Sequence, residues 1–272
     1  MKSNTQLKVA WVTDPHLNFA SENGWNSLIT GILESSPSAV IMTGDISEGP
    51  YVTDHINRLV RAVGLPVYFV LGNHDFYHRR RDDVITDIRS LCSSERNAVW
   101  LSDVPSVNPV PGLALVGADG WYDASYGWSS DLSIVFSWDW KMIRDFSNRT
   151  RLESMIVSRA WSKQSATHLE KELCSLDRSI DRVAILTHVP PWPELTDDTP
   201  GTALGNFWLP YNVSAAAGDA ISRAADWASH RSHSVFCGHT HVARSAWISS
   251  NVYGRCGKAQ YGKPRVQDVI LL

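Results

Sequence analysis

The stretch LPVYFVLGNHD, residues 65–75, predicts a buried strand that ends in a polar turn. Residues 67–71 form a short run of β-branched and aromatic side chains, and Gly72 follows it. The turn then presents three polar side chains in succession, Asn73, His74 and Asp75. An amide oxygen, an imidazole and a carboxylate at a strand end suit metal binding better than packing. The stretch therefore indicates a metal site at the end of this strand.

Four other apolar runs end in side chains of the same kind. Asp14 and His16 follow residues 7–13, Asp45 follows residues 39–43, His188 follows residues 182–187, and His239 and His241 follow residues 234–237. Each motif alone has an ordinary explanation, such as a turn aspartate or a core histidine, but their joint occurrence favours a shared site. A set of Asp, Asn and His without Cys suits two divalent ions such as Mn, Fe, Zn or Co.

Strand and helix patterns alternate along the first part of the chain. The predicted strands are residues 7–13, 39–43 and 67–71, and the predicted helices are residues 25–34, 54–63 and 82–91. This order predicts a largely parallel sheet with the site residues at the carboxyl ends of its strands.

The rest of the chain favours a second sheet that faces the first. Short strands at 99–101, 107–110 and 113–117 indicate a meander, and further strands are predicted at 182–187, 234–237, 243–248 and 266–272. Helices are predicted at 162–176 and 214–229, and an irregular stretch is expected from 194 to 211. We therefore expect one α/β domain over residues 1–272.

A weakly patterned segment, residues 119–161, is expected to form an inserted cap. It holds five of the twelve Trp residues of the chain, Trp121, Trp128, Trp138, Trp140 and Trp161. The first four of these rings and Tyr122 could stack on a nucleobase or another flat group, although packing of the insertion onto the domain is the commoner role. Trp192 and Trp208 lie in loops that flank the strand ending at His188. They could line the mouth of the site, although packing is again the commoner role. Residues 79–81, three arginines, could bind a second phosphate or simply begin a solvated helix.

Composition limits the classes of partner. The formal net charge is −3, and the basic residues are scattered, so strong binding to duplex nucleic acid is not expected. No apolar run approaches the length of a membrane span or a secretory signal, so a cytoplasmic protein without membrane contact is expected. The four widely spaced cysteines, Cys92, Cys174, Cys237 and Cys256, are interpreted as free thiols of a reducing compartment.

The motifs DPH, GD, GNHD, the His of THVPP, and GHTH occur in the order found in the calcineurin-like metallophosphoesterases. The chain resembles that family over residues 7–75 and 183–243. The resemblance implies a four-layer α/β/β/α sandwich, which agrees with the two-sheet interpretation. We therefore expect such a sandwich of two mixed sheets, with the inserted cap added to it.

The resemblance also assigns roles to residues at matching positions. Asp14, His16 and His241 are expected to bind one metal, Asn73, His188 and His239 the second, and Asp45 both. In this family a metal-bridging hydroxide attacks phosphorus. His74 resembles the family's non-ligand histidine, and Asp75 is expected to orient its imidazole. Gly44, Gly72 and Gly238 are expected to permit tight turns beside the ions. One departure is Glu48, near the place where many members have a second aspartate.

The expected activity is hydrolysis of a phosphodiester or phosphomonoester by a dinuclear metal-dependent enzyme, with Mn expected to support it in an assay. The cap and the acidic balance favour a small phosphoester, and the Trp content favours a nucleotide-like one. Two alternatives stay open. One is a binding module that kept the fold and lost catalysis, and the other is a protein phosphatase that docks in a complex through residues 189–211.

Overall fold

The computed structural model describes residues 6–127 and 137–272. The strands are β1 (Lys8–Val12), β2 (Ala39–Thr43), β3 (Val67–Val70), β4 (Ala98–Trp100), β5 (Val107–Val110), β6 (Leu113–Gly117), β7 (Arg182–Leu186), β8 (Ser232–Cys237), β9 (Arg244–Ser249), β10 (Val252–Cys256) and β11 (Asp268–Leu271). The helices are α1 (Glu22–Glu34), α2 (Val52–Val63), α3 (Arg81–Ser94), α4 (Asp139–Met142), α5 (Arg151–Cys174), α6 (Ala203–Asn212) and α7 (Ala215–Trp227).

These strands form two mixed sheets. The first has the order β11-β1-β2-β3-β4, in which β1 to β4 are parallel and β11 is antiparallel to β1. The second has the order β5-β6-β7-β8-β10-β9, with parallel strands in the middle and an antiparallel strand at each edge. The central strands read as unbroken apolar runs because both of their faces are covered.

Three hydrophobic clusters fill the spaces between four layers. Helices α1, α2 and α3 cover the outer face of the first sheet. Helices α5 and α7 cover the outer face of the second. Between the sheets, Trp11 packs edge-on against Phe236 with ring centroids 5.3 Å apart, inside a buried cluster drawn from both sheets. The predicted α/β/β/α sandwich is therefore confirmed.

Four local predictions are corrected by the structure. The first of the three strands expected to form a meander is β4, and it joins the edge of the first sheet. The other two, β5 and β6, form the expected antiparallel pair. Helix α5 begins at Arg151, not at residue 162, because Thr150 and Glu153 form a reciprocal capping box. Helix α6 occupies part of the stretch expected to be irregular, where Pro210 and two glycines obscure the helical pattern. Strand β10 was not predicted, because Gly254 at its centre carries no side chain and weakens the strand pattern.

The aromatic residues of the predicted cap divide into two groups. Trp121, Tyr122 and Trp140 are buried in the cluster beneath the first sheet, so the packing interpretation holds for them. Trp138 is largely exposed, and Trp128 lies outside the described residues. Elsewhere Trp192 is buried in the second cluster, and Trp208 is exposed. Across the described ranges, every helix is too short or too polar to cross a bilayer.

Candidate metal centre

All seven predicted metal ligands meet at the carboxyl ends of five strands, which are parallel to their neighbours within each sheet. Asp14 and His16 follow β1, Asp45 follows β2, Asn73 follows β3, His188 follows β7, and His239 and His241 follow β8. The first three strands belong to one sheet and the last two to the other. The site therefore lies where the ends of both sheets converge, as expected for an α/β fold.

The backbone at this junction adopts an uncommon conformation. Five of the seven predicted ligands have positive φ: Asp14 at 44°, His16 at 41°, Asp45 at 49°, His239 at 72° and His241 at 59°. A non-glycine residue rarely occupies this left-handed region, and such residues concentrate at functional sites. Backbone hydrogen bonds between the loops hold these residues in this conformation. Asp14 N donates to Gly44 O and His16 N donates to Asp45 O, each at an N···O distance of 3.1 Å.

Two glycines are needed for close approach between loops. A Cβ atom at Gly72 would collide with Oδ1 of Asp45, and one at Gly238 would collide with Oδ2 of Asp14. Gly44 has a φ of 87° and serves the tight turn that the sequence predicts. The site residues can come together only because these positions carry no side chain.

The first donor cluster contains Asp14, His16 and His241, with Asp45 beside it. The Nε2 atoms of His16 and His241 are 3.0 Å apart, and His241 Nε2 lies 3.4 Å from Asp14 Oδ1. Oδ2 of Asp45 lies 3.8 Å from His16 Nε2. One donor atom from each of these four residues lies within 4.8 Å of the others. Two carboxylates and two imidazoles at this spacing suit one divalent cation.

The second donor cluster contains Asn73, His188 and His239. Oδ1 of Asn73 lies 3.0 Å from His188 Nε2 and 3.0 Å from His239 Nδ1. Those two ring nitrogens are 3.3 Å apart, and His188 Nε2 is 3.3 Å from Oδ1 of Asp45. Nε2 of His188 thus lies within 3.3 Å of one donor atom from each of the other three residues.

Hydrogen bonds outside the second cluster show which atoms carry lone pairs. His188 Nδ1 contacts the carbonyl of Thr43 at 2.9 Å, and His239 Nε2 contacts the carbonyl of Tyr211 at 2.9 Å. A carbonyl only accepts, so both nitrogens carry hydrogen and their partners Nε2 and Nδ1 carry lone pairs. Burial lowers the pKa of His188 to about 3, which keeps its ring neutral. Lone pairs that face one another without a proton between them fit a bound cation.

Asp45 is the residue shared by the two clusters. Its Oδ1 faces the second cluster and its Oδ2 faces the first. Burial, together with the neighbouring carboxylates of Asp14 and Asp75, raises the pKa of Asp45. A negative charge on Asp45 is therefore unfavourable in this buried place, and a cation on each side of the carboxylate would stabilise it. The donor set therefore fits two divalent ions bridged by this carboxylate.

His74 lies beside the two clusters and is not part of either. Its ring stacks on Tyr77 with centroids 4.1 Å apart, and its Nε2 is 3.9 Å from Oδ2 of Asp45. Burial lowers the pKa of His74 to about 4, although the nearby negative charge of Asp139 acts to raise it. The hydroxyl of Tyr261 is 3.5 Å from the same Nε2. His74 thus occupies a place from which it can reach a group bound at the centre.

The prediction that Asp75 orients the His74 imidazole is wrong. Oδ1 of Asp75 accepts from the backbone N–H of Ser47 at 2.8 Å, and Oδ2 accepts from that of Gly72 at 2.8 Å. Nδ1 of His74 is buried without a hydrogen-bond partner among the residues that the structure describes. Asp75 instead joins the loops that follow β2 and β3. Residues adjacent in sequence point apart here because a short 3₁₀ turn contains both.

Three site residues were not predicted. Asp139 and Tyr77 contact each other and Asn73 behind the second cluster. Tyr261 packs on His16 with ring centroids 4.3 Å apart, beside the first cluster. Asp139 and Tyr261 come from segments without a recognisable motif. The only signal available in the sequence was a lone aspartate inside the Trp-rich SWDW stretch.

The arginines after the turn and Glu48 have structural contacts. Arg79 pairs with Asp87, and Arg81 is the first residue of α3, which supports the solvated helix start. Glu48 lies 3.5 Å from His78 Nε2. Neither observation assigns these residues to the centre.

Comparisons with known proteins agree with this geometry. The model of the calcineurin-like phosphoesterase family matches residues 7–243. The chain is 25% identical over 258 residues to the manganese-dependent ADP-ribose/CDP-alcohol diphosphatase of Bos taurus, covering 83% of this chain and 68% of that one. It is 28% identical over 215 residues to the protein of the same name from Mus musculus, covering 67% of this chain and 59% of that one.

Solved structures share the fold. The phosphopantetheinyl hydrolase of Mycobacterium tuberculosis superposes with a TM-score of 0.66 at 17% identity, over 98% of this chain and 96% of that one. A dimetal phosphatase of Danio rerio superposes with a TM-score of 0.55 at 15% identity, over 93% and 87% of the two chains. At these identities the likeness concerns the fold alone.

Proposed function

This chain belongs to the calcineurin-like phosphoesterase family, and on that premise we propose that it hydrolyses the diphosphate linkage of a small nucleotide derivative. That it is a metal-dependent phosphoesterase follows from the family and from its donor set. The observation that carries the activity is the placement of Asp45, whose two oxygens face two separate donor clusters. A pair of bound divalent ions would supply charge neutralisation of the phosphate and a water of lowered pKa.

Residues of the chain itself prepare the remaining contacts. His74 and Tyr261 meet through Nε2 and the hydroxyl at 3.5 Å, beside Asp45 and the first cluster. Tyr261 is 47% exposed, so its hydroxyl can reach a substrate that enters the site. We assign His74 the role of a donor to the transferred phosphate or its leaving group, and Tyr261 that of a second hydrogen-bond donor.

The substrate class comes from the curated relatives. Their name describes action on ADP-ribose and CDP-alcohols, which share a nucleoside diphosphate joined to a small polar group. The chain spans 59% to 68% of the length of these two relatives, so this specificity belongs to the proposal. The formal net charge of −3 agrees with a small substrate and not with a long polyanion.

The test is hydrolysis of ADP-ribose and CDP-choline by the Mn-loaded protein, with the His74→Ala variant as control. Water adds across the P–O–P bond, so ADP-ribose yields AMP and ribose 5-phosphate, and CDP-choline yields CMP and phosphocholine. We expect both products, and a fall of about 10²- to 10⁴-fold in kcat for the variant. If the protein cleaved bis-p-nitrophenyl phosphate but neither nucleotide, it would still be a phosphoesterase. The proposed diphosphate substrate would then be wrong.

The same assay examines the alternative of a silent binding module. Such a protein would bind Mn and cleave none of the four substrates, which are the two nucleotides, bis-p-nitrophenyl phosphate and p-nitrophenyl phosphate. Every predicted ligand position is filled, and all of them meet at one place, which favours the enzyme.

A further inference from the structure

A buried carboxylate from the Trp-rich insertion reaches the second donor cluster. Asp139 is the first residue of α4 and is 4% exposed. Its Oδ1 accepts from Nδ2 of Asn73 at 2.8 Å and from the hydroxyl of Tyr77 at 2.7 Å. Its Oδ2 accepts from Oγ of Ser137 at 2.9 Å. The insertion therefore touches a predicted metal ligand directly.

The hydrogen bond from Asn73 decides which way its amide points. Because Nδ2 donates to Asp139, Oδ1 is turned toward the ring nitrogens of His188 and His239. An amide rotated by half a turn would present N–H groups to the cluster, and an N–H group cannot bind a cation. Asp139 thus selects the metal-binding orientation of Asn73.

The charge of Asp139 also has no cationic side chain to balance it. Within residues 6–127 and 137–272, Asp139 receives hydrogen bonds from neutral groups and takes part in no ion pair. A buried carboxylate is costly unless a positive charge lies near. The second cluster offers three neutral donors and a share in Asp45, so a cation there gains from one more negative charge nearby.

Backbone contacts keep the insertion against the loop that carries Asn73. His78 N donates to the carbonyl of Met142 at 2.7 Å, and Arg144 N donates to the carbonyl of Arg79 at 3.0 Å. Oδ2 of Asp145 accepts from Arg81 N at 2.7 Å. These bonds hold α4 at a fixed distance from Asn73 without contacting the donor clusters.

We propose that Asp139 is a positioning residue of the second metal site, through which the insertion controls how tightly that ion is held. It fixes the amide of Asn73, and it adds a negative charge behind the site. The insertion is then a part of the metal centre as well as a cover for the domain.

The test is a titration of the metal-free protein with Mn(II). Calorimetry measures the binding, and electron paramagnetic resonance distinguishes free Mn from spin-coupled Mn. In Asp139→Ala we expect one ion to bind as in the unmutated protein and the other about 10- to 100-fold more weakly, as for removal of other groups that orient metal ligands. The spin-coupled signal should need correspondingly more Mn to appear. Asp139→Asn keeps an acceptor for Asn73 and Tyr77 but loses the charge, so its loss should be smaller.

The matched control is Asp145→Asn, which weakens another anchor of the same insertion. We expect it to bind both ions as the unmutated protein does. Unchanged affinity in Asp139→Ala and Asp139→Asn would overturn the proposal. An equal loss in Asp145→Asn would overturn it too, because general loosening of the insertion would then account for the effect. If Asp139→Ala does not fold, as judged by circular dichroism without metal, Asp139→Asn decides alone by the same criteria.

Discussion

The two donor clusters differ in how their side chains are supported. In the second cluster each donor is held from behind, His188 by Thr43 O, His239 by Tyr211 O and Asn73 by Asp139. In the first cluster, His16 Nδ1 is buried and has no hydrogen-bond partner anywhere in the described ranges. Asp14 of that cluster does accept hydrogen bonds, from Oγ1 of Thr13 and from the backbone N–H of His239. Aromatic rings flank the His16 imidazole, and two of them, Phe19 and Tyr261, are half exposed.

This difference predicts unequal affinity for two chemically similar ions. A ligand already held in its binding orientation loses less freedom when the ion arrives, and its basicity is raised by the hydrogen bond behind it. We therefore expect the second cluster to fill first. We also expect substrate to reach the centre from the side of the first cluster, because exposed aromatic rings lie there.

The largest expected effect is the loss of the residue that the clusters share. Asp45→Ala removes a ligand from both sites, so neither ion keeps its full donor set. Loss of several kcal/mol of charge stabilisation corresponds to a fall of about a thousandfold or more in kcat/KM. Steady-state hydrolysis of bis-p-nitrophenyl phosphate at saturating Mn measures it. Activity within about tenfold of the unmutated protein would show that Asp45 does not join two sites.

A smaller, selective effect should separate the clusters. With one equivalent of Mn, His188→Ala should bind the ion about 10-fold or more weakly than His16→Ala, because the first ion prefers the second cluster. Mn titration by electron paramagnetic resonance gives both constants. Equal constants, or the reverse order, would mean that the support behind the second cluster does not set the order of filling.

The smallest expected effect lies at the exposed edge of the first cluster. Tyr261→Phe keeps the ring that packs on His16 and removes the hydroxyl near His74. One hydrogen bond to substrate is worth about 0.5–1.5 kcal/mol, so kcat/KM should fall roughly 2- to 10-fold. Mn affinity should not change. A change in Mn affinity without a change in kcat/KM would place the hydroxyl in support of the metals and not of the substrate.

The sequence was sufficient to group the seven predicted ligands, because each lies at or shortly after the end of a buried apolar run. Such runs predict parallel strands, and parallel strands bring their carboxyl ends to one edge. Asp14 and His241 are far apart in the chain, yet they meet because β1 and β8 end at the same junction. Order and spacing therefore predicted that these side chains meet.

What the sequence missed depends on side-chain direction and on long-range packing. Asp75 follows His74, but adjacency says nothing about where a carboxylate points within a 3₁₀ turn. Asp139 and Tyr261 reach the site from segments whose path is set by tertiary contacts. The strand at 98–100 is apolar and short, and its pattern does not reveal which sheet it joins.

The most direct measurement is anomalous scattering at the Mn absorption edge from crystals grown with excess MnCl₂. We expect two peaks about 3.5–4 Å apart. One should contact Oδ2 of Asp45 together with Asp14, His16 and His241. The other should contact Oδ1 of Asp45 together with Asn73, His188 and His239. A single peak, or two peaks that do not share Asp45, would contradict the dinuclear centre.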